Sequence, residues 1–345
     1  MARSRLLGAC SAMIVALGAA ATHARADPVS DFYQGRSINL YIGFGPGGGY
    51  DVYARMLARH FGRLVPGNPA IVPQNMPGAG GLKSANFLYN AAPRDGLALG
   101  MFGAFNGLDP LFGNAQANFD SVKFTWIGNM HRDVSSCAVW NAAGFHSFSE
   151  TLRREIVFGS SGKGSTTSQH ALVLKNMLGA KVKVVEGYQG TSSINLAMKR
   201  REVDASCGIL VSSALTSYDQ DLKNGDMRIL IQFGRRNAPE FGDAVNLYDL
   251  LQSDADKQVA DIVFRQSEIA RPVAGPPGIP PDRAQALRTA FTQTMRDPAF
   301  LADASKVGMP IDPMTGEEVS TLFEVFFATP KPIVDRAKFV TTNSN

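Results

Sequence analysis

Two glycine-rich segments near the start of this 345-residue chain have the composition of an anion-binding site. The first reads Gly43-Phe-Gly-Pro-Gly-Gly-Gly-Tyr-Asp51, and the second reads Asn75-Met-Pro-Gly-Ala-Gly-Gly81. Glycine lets the backbone come close to a ligand with its N–H groups free, at a cost in conformational entropy. Where such a loop opens a helix, the exposed amides and the helix dipole favour a negative group. The two segments therefore predict a site for an anionic small molecule.

The candidate ligand contacts on these segments are loop residues and the first helical residues after them. They are Phe44, Pro46, Gly47, Gly48, Tyr50, Asp51, Gly78, Ala79, Gly80 and Gly81. Asp51 can orient a bound ligand, or it can be a first-turn acid that stabilises the helix dipole. Valine at Gly47 or Gly80 is expected to block the approach of a ligand to the backbone.

Strand and helix patterns place both segments at one edge of a sheet. Apolar, β-branched runs predict strands at 38–43, 70–74 and 97–102, and helical spacing predicts helices at 51–64 and 82–91. This β-α-β-α-β order requires a parallel sheet with right-handed crossovers. Both loops then lie at the carboxyl edge of the sheet, where α/β proteins bind ligands.

The same pattern recurs from residue 155. Strands are predicted at 155–159, 181–186 and 202–209, and helices end near residue 178 and run over 191–200. A hydroxyl-rich loop follows the first of these strands, and another glycine turn follows the second. The candidate ligand contacts there are Ser160, Ser161, Ser165, Thr166, Ser168, Tyr188, Gly190 and Thr191.

The chain is therefore expected to be an α/β protein of two lobes, each a mostly parallel sheet flanked by helices, with the ligand cleft between them. We assign residues 27–130 and 270–345 to lobe 1 and residues 131–269 to lobe 2. The proline-rich run 272–281 breaks the pattern. We place the helices after it on lobe 1, because about 70 residues of helix and loop make a poor independent core.

Residues 1–26 have the layout of a cleaved signal peptide. Arg3 and Arg5 precede an apolar run over 6–21, and Ala24-Arg-Ala26 is a cleavage motif. Loss of the three arginines in this segment lowers the formal charge from +4 to +1, which does not favour nucleic acid as a partner. We therefore expect an exported protein, and no later run approaches the ~20 apolar residues of a membrane span.

Other chemistries lack the residues they need. Gly43-Phe-Gly-Pro-Gly-Gly48 matches a dinucleotide fingerprint, but residues 52–94 contain no Asp or Glu to hold a ribose. Neither G-x-S-x-G nor H-E-x-x-H occurs, so a nucleophile elbow and a zincin helix are not available. The histidines after the signal are scattered without ligand spacing. We expect no catalytic residue, metal or cofactor.

Cys137 and Cys207 each lie in a strand-like stretch. An oxidising compartment permits a disulfide between them. Free cysteine is also often a small buried hydrophobic residue. The sequence leaves both interpretations open.

With these motifs, the chain resembles the receptors of tripartite tricarboxylate transporters, also called the Bug family of periplasmic solute-binding proteins. The resemblance covers nearly all of the chain after the signal, in the family's order. The matching segments begin at Tyr33-Gln-Gly-Arg-Ser-Ile-Asn-Leu and Gly45-Pro-Gly-Gly-Gly-Tyr-Asp-Val-Tyr-Ala-Arg, and continue through Gln74-Asn-Met-Pro-Gly-Ala-Gly-Gly, Ala92-Pro-Arg-Asp-Gly, Phe158-Gly-Ser-Ser-Gly-Lys-Gly, Gly187-Tyr-Gln-Gly and Glu202-Val-Asp.

The resemblance implies a type II-like periplasmic-binding-protein fold that closes on a small organic carboxylate and delivers it to the membrane permease subunits of a secondary transporter. The first-lobe loops would hold a carboxylate through backbone amides and ordered water, and the second-lobe loops would hold the far end of the ligand. Such a receptor is expected in the periplasm, as a monomer. A carboxylate sensor for a membrane signalling protein and an exported enzyme acting on a small acid are the alternatives.

The chain departs from the family pattern in two places. Tyr50 stands where many relatives have a small residue, which predicts a narrower pocket or stacking on an aromatic acid. The loop 164–170 is about one residue longer than usual, which leaves open whether Ser165, Thr166 or Ser168 touches the ligand.

Overall fold

A computed structural model describes residues 27–344. The expected signal peptide, residues 1–26, lies outside the described residues and stays a prediction. Within the described range, no helix is both long enough and apolar enough to cross a membrane.

Strands and helices alternate along most of the described chain. The strands are β1 (Ser37–Ile42), β2 (Ala70–Asn75), β3 (Ala98–Met101), β4 (Thr125–Asn129), β5 (Ser135–Trp140), β6 (Ile156–Ser160), β7 (Val182–Glu186), β8 (Ala205–Leu210), β9 (Met227–Phe233), β10 (Val245–Asn246), β11 (Pro272–Gly275) and β12 (Met314–Thr315). The α-helices are α1 (Pro28–Tyr33), α2 (Gly49–Phe61), α3 (Leu82–Asn90), α4 (Thr166–Leu178), α5 (Thr191–Lys199), α6 (Val211–Ala214), α7 (Asp219–Lys223), α8 (Leu247–Leu250), α9 (Asp254–Phe264), α10 (Pro281–Thr294), α11 (Pro298–Lys306), α12 (Gly316–Phe327) and α13 (Lys331–Thr342).

The strands form two six-stranded sheets flanked by helices, as the sequence predicts, but both sheets are mixed, and most pairings in the first are antiparallel. The first has the order β12-β4-β11-β3-β1-β2 and the second the order β10-β9-β5-β8-β6-β7. In the first sheet β1 pairs in parallel with β2 and β3, and β11 runs antiparallel between β3 and β4. In the second sheet β6 pairs in parallel with β7 and β8, and β5 runs antiparallel between β8 and β9.

The two sheets share an arrangement at their centres. In each, the first strand of a β-α-β-α-β unit lies between the second and third strands, and an antiparallel strand follows the third. The chain passes between the sheets twice, over residues 130–134 and 265–271. Loops at the carboxyl ends of β1 and β2 in one sheet and of β6 and β7 in the other are thereby positioned to meet.

Alternate residues of β4 show how helices cover both faces of the first sheet. The indole of Trp126 stacks on Phe323 of α12 with 4.6 Å between ring centroids. The next residue, Ile127, points to the other face and packs in the cluster that contains Phe291 of α10 and Phe300 of α11. Burial on both faces explains why these strands lack the polar alternation of a one-sided sheet.

The position of the last helix differs from the sequence prediction, which places the C-terminal segment on lobe 1. α13 packs against α4 and α9, which belong with the second sheet. Asn176 of α4 donates hydrogen bonds to the carbonyls of Val340 and Asn343, at 3.0 and 2.9 Å. The buried residues of α13 form its apolar face. They belong to the hydrophobic cluster that spans both sheets, so this face is directed at α4 and α9. The other lobe boundaries stay predictions.

A disulfide joins Cys137 and Cys207, which face each other across the antiparallel pair β5 and β8. Both residues are fully buried. The sequence left this pairing open because the register of two strands 70 residues apart depends on the whole sheet.

Candidate functional site

The first glycine loop connects β1 to α2, and it is fixed from inside the protein by Asp51. The Asp51 carboxylate accepts hydrogen bonds from the Gly47 backbone N–H at 2.9 Å and from Asn75 Nδ2 at 2.8 Å. Arg55 Nε donates to the same carboxylate at 2.9 Å. Gly47 has a φ of +80°, which a residue with a side chain adopts only with strain. Asp51 therefore holds the turn that presents the start of α2.

The charge of Asp51 is maintained by these contacts. Burial by itself would raise the pKa of this carboxyl, but the bonds from Arg55, Gly47 and Asn75 together lower it below its usual value. The residue is also in the first turn of a 13-residue helix, where a negative charge is favoured. Asp51 is thus both a first-turn acid and the organiser of the loop.

The second glycine loop follows β2 and turns sharply before α3. Four consecutive residues have positive φ: Gly78 (143°), Ala79 (46°), Gly80 (66°) and Gly81 (101°). Asn75 links the two loops, because its Nδ2 donates to the Phe44 carbonyl as well as to Asp51. The two glycine loops are therefore one connected unit at the edge of the first sheet.

The Phe44 ring lies between the lobes, in space that glycines leave open. Cβ atoms added to Gly81 and Gly103 would lie 3.3 and 3.4 Å from Phe44 Cζ, and one on Gly190 would lie 3.5 Å from Phe44 Cβ. Tyr50 stacks on the other side of the ring at 4.6 Å between centroids. The aromatic pair thus gives the first glycine loop an apolar side.

The hydroxyl-rich loop of the second lobe is bonded largely to itself. Ser165 caps α4, and its hydroxyl contacts the Gly162 carbonyl at 2.7 Å and Thr167 Oγ1 at 2.6 Å. Ser160 Oγ lies 3.4 Å from the same Ser165 hydroxyl. Thr167, which the sequence did not single out, belongs to this network. The loop is consequently a preorganised cluster of hydroxyl groups.

Direct hydrogen bonds join the loops of the two lobes. The Gly45 N–H donates to the Gln189 carbonyl at 3.0 Å, and the Gly80 N–H donates to the Ser161 carbonyl at 3.0 Å. Ser192 Oγ donates to the Pro46 carbonyl at 2.8 Å. The structure thus shows the lobes in contact through the loops that the sequence singled out.

The predicted contact residues differ in exposure. Pro46, Gly47, Gly78 and Ala79 are exposed, Phe44, Tyr50, Thr166, Tyr188 and Thr191 are half-buried, and Gly48, Asp51, Gly80, Gly81, Ser160, Ser161, Ser165, Ser168 and Gly190 are buried. The two loop tyrosines have different surroundings: Tyr50 stacks on Phe44, whereas Tyr188 packs against a separate cluster of the second lobe. That these residues touch a ligand stays a prediction.

Several polar residues of the cleft are not among those predicted from the sequence. Gln189 and Ser192 contact the first loop, and Arg271 lies beneath it with Ser212 and Ser213. Arg271 stands between Ala270 and Pro272, next to the apolar strand β11. Because β11 lies in a proline-rich run that does not read as a strand, the sequence offers no local signal for Arg271. Within residues 27–344, no group of three or more His, Cys, Asp or Glu side chains is placed to hold a metal ion.

The fold and the meeting of glycine loops with an opposing lobe define a two-lobed solute-binding protein. The chain belongs to the tripartite tricarboxylate transporter family receptors, whose family model matches residues 54–336. A UPF0065 protein in the gbd 5′ region of Cupriavidus necator is 25% identical over 307 residues, covering 87% of this chain and 86% of that protein.

Three solved structures share the periplasmic-binding-protein fold over most of their length. The periplasmic binding protein BugD superposes with a TM-score of 0.71 at 16% identity, covering 90% of this chain and 99% of that one. A Rhodopseudomonas palustris protein with adipate gives 0.70 at 17% identity, with coverage of 88% and 97%. MatC from Rhodopseudomonas palustris with bound malate gives 0.67 at 17% identity, with coverage of 87% and 99%.

Proposed function

We propose that this chain is a periplasmic receptor that captures a small organic carboxylate between its lobes and delivers it to the membrane permease of a secondary transporter. The observation that carries the proposal is the direct bonding of first-lobe glycine loops to second-lobe loops, at Gly45 with Gln189 and at Gly80 with Ser161. Contacts of this kind form when two lobes close, as in hinged binding proteins.

The chemistry of the loops supports a carboxylate as the ligand. The 13-residue helix α2 begins in the first loop, and its N-terminal amides and dipole favour a negative group. Segments 43–51 and 75–81 contain no lysine or arginine, so their donors are uncharged and are mostly backbone N–H groups. Hydrogen bonds to an ionised acceptor are roughly twice as strong as neutral ones. Adipate and malate, found in two of the related structures, are small dicarboxylates.

In this proposal, the ligand contacts come from both lobes. Loop residues 44–51 and 78–81 hold a carboxylate, and the second-lobe residues 160–168 and 188–191 hold the far end of the ligand. The family's association with a tricarboxylate transporter supports delivery to a permease.

Binding is tested with residues 27–345, unfolded and refolded to remove any co-purified ligand. Succinate, malate, adipate, citrate and benzoate are added in a thermal-shift series. At least one acid should raise the unfolding temperature progressively with the logarithm of its concentration. The same acid should reduce the radius of gyration in X-ray scattering as the lobes close. No shift with any of the five at millimolar concentration would overturn the proposal.

Two further measurements separate the alternatives. NMR of the bound acid after long incubation should show it unchanged, and conversion to a product would indicate an enzyme. Deletion of the gene should abolish uptake of the acid. Intact uptake with loss of gene induction would instead indicate a sensor.

A further inference from the structure

A cavity of about 450 Å³ lies between the lobes, beside the second glycine loop and the first turns of α4. Its first-lobe wall includes Ala79 of that loop, Leu82 of α3 and Phe112. Its second-lobe wall includes Ser168 and Leu172, one turn apart on α4. Ala79 and Ser168 are predicted ligand contacts, whereas no residue of the first glycine loop lines this space. The cavity therefore extends the candidate site on the side of the second glycine loop.

The size and the wall of the cavity favour a ligand with an apolar chain. Its volume is roughly three times the ~150 Å³ of an apolar cavity that binds benzene. Leu82, Phe112 and Leu172 supply apolar surface on both sides of it. Each methylene group buried against such a wall raises affinity about threefold to fourfold. A four-carbon acid would leave most of this surface facing water, so a longer acid fits the cavity better.

Two lysines line the cavity, Lys163 of the hydroxyl-rich loop and Lys338 of the last helix, α13. Both are exposed, and neither has a carboxylate oxygen within 4.0 Å among residues 27–344. Lys338 reaches from the second lobe to the first, because a Cβ on Gly113 would lie 3.0 Å from its Nζ. An unpaired cation thus stands where the cavity opens, at the far side from the glycine loop.

The other polar groups of the wall also leave a place for an anion. Of the two carboxyl groups there, only Glu186 is exposed. The oxygens of the buried Asp109 accept from Asn106 and Asn114, at 3.1 and 2.9 Å. Gln169 lines the same cavity, is 4% exposed, and has no hydrogen-bond donor for its Oε1. Since a half-turn of an amide exchanges its oxygen and nitrogen, this side chain can accept from or donate to a ligand.

We propose that α13 takes part in ligand recognition, with Lys338 pairing with the second carboxylate of a long dicarboxylate whose chain fills this cavity. The first carboxylate lies at the second glycine loop, and the methylene chain lies along Leu82, Phe112 and Leu172. This inference rests on the proposed function and deepens it by naming the substrate class. The receptor prefers diacids with a long apolar chain, such as suberate, to succinate, malate or citrate.

The test measures the affinities of succinate, adipate and suberate by isothermal titration calorimetry at pH 7, with malate, citrate and benzoate for comparison. The proteins are the wild type, Lys338→Gln and the control Lys331→Gln. Lys331 is a suitable control because it is an exposed lysine of the same helix that pairs with Asp335 and does not line the cavity. Affinity in the wild type and the control should rise about tenfold at each step of two methylene groups. Lys338→Gln should weaken suberate about fivefold and leave succinate unchanged.

A second pair of variants tests the apolar chain separately from the charge. Leu172→Trp fills the cavity, so it should abolish the preference for suberate while succinate still binds. Leu196→Trp makes the same change at an exposed leucine of α5 in the same lobe and should preserve the preference. Circular dichroism verifies that each variant is folded, and the exposed Lys338 keeps the proposal falsifiable if Leu172→Trp is not.

The outcomes distinguish this inference from the proposed function. Unchanged suberate affinity in Lys338→Gln or in folded Leu172→Trp would overturn the inference and leave the proposed function intact. A wild type that binds a shorter or aromatic acid more tightly than suberate would do the same. A wild type that binds none of the acids would overturn both.

Discussion

Asp51 shows how one side chain can fix the shape of a glycine loop. Its carboxylate accepts hydrogen bonds from Gly47, Arg55 and Asn75, all within the first lobe. The loop is therefore already shaped before a ligand arrives, which reduces the entropy lost on binding. Arg271 is a second buried charged group beside this loop, and its guanidinium donates to the Ser212 and Ser213 hydroxyls.

Asp109 gives the stability of the protein a predictable dependence on pH. It is 2% exposed, and burial raises its pKa from 3.8 to about 6, although bonds from Asn114 and Asn106 partly offset this. Between those values the folded chain holds a proton that the unfolded chain releases, so stability falls as pH rises through this window. Between about pH 4.5 and about pH 7, the wild type should lose about 2 kcal/mol of unfolding free energy relative to Asp109→Asn.

Comparison with Asp109→Asn separates the effect of the Asp109 carboxyl on stability from the effects of other groups that titrate in a similar pH range. Burial lowers the pKa of His170 to about 3, and it also lowers the pKa of His131. These histidines make stability rise with pH, the opposite sign, but they are present in both proteins and cancel in the difference. Urea denaturation at several pH values measures both curves. A difference that stays constant across the range would contradict the prediction.

At the scale of elements, the second glycine loop contacts the hydroxyl-rich loop of the second lobe. Gly80 and Gly179 provide a matched pair, with φ of +66° and +73°. A Cβ on Gly80 would lie 2.6 Å from Ser165 Cβ in the other lobe, whereas one on Gly179 meets nothing within 4 Å. Because both positions have positive φ, alanine at either one should lower the free energy of unfolding by about 1–2 kcal/mol through backbone strain. Only Gly80→Ala should also weaken adipate binding, by about tenfold or more.

Calorimetry with adipate and X-ray scattering of the bound form measure this difference. Equal affinities in Gly80→Ala and Gly179→Ala would show that the contact with Ser165 is not needed for closure. Gly47 was paired with Gly80 on sequence grounds, but a Cβ there would approach only Ser192, at 3.9 Å. A side chain at Gly47 is thus disfavoured by its φ rather than by contact with the other lobe.

The elements that could be predicted from the sequence are those whose signal is local. The strands of both β-α-β-α-β units lie within a few residues of their predicted bounds, because apolar periodicity and glycine turns mark them. The sequence instead places β11 inside the proline-rich run 272–281. Its identity as a strand depends on antiparallel pairing with β4, where Pro272 lies opposite Asn129, and with β3. Pairing between such distant segments leaves no local pattern.

The candidate site also combines parts with a local sequence signal and parts that depend on contacts between distant segments. Both glycine loops and the hydroxyl loop could be located from composition and position after strands. Their partners could not, because Gln189 and Ser192 reach the first loop only when the two lobes lie together. Arg271 is separated in sequence from Ser212 by 59 residues, and it adjoins a strand that the local pattern did not reveal.

At the scale of the whole molecule, one hydrophobic cluster joins the two sheets. It contains Trp126 of the first sheet, Phe158 of the second, and Val340 of α13. The helix α13 therefore ties the end of the chain to the second lobe, while the helices α10 to α12 before it pack around the first sheet. The lobes are distinct in their sheets but share part of their core.

The disulfide should stabilise this assembly mainly through the second sheet. Cys137 lies on β5, the first strand after the chain enters that sheet, and Cys207 lies on β8, 70 residues later. A cross-link over a loop of this length restricts the unfolded chain and is worth about 4 kcal/mol. Replacing both cysteines by alanine should lower the free energy of unfolding by about that amount, measured in urea by circular dichroism. Because both sulfurs are buried, a thiol reductant should match this loss only after urea has unfolded the wild type. A double variant as stable as the wild type would mean that the sheets hold β5 to β8 without the cross-link.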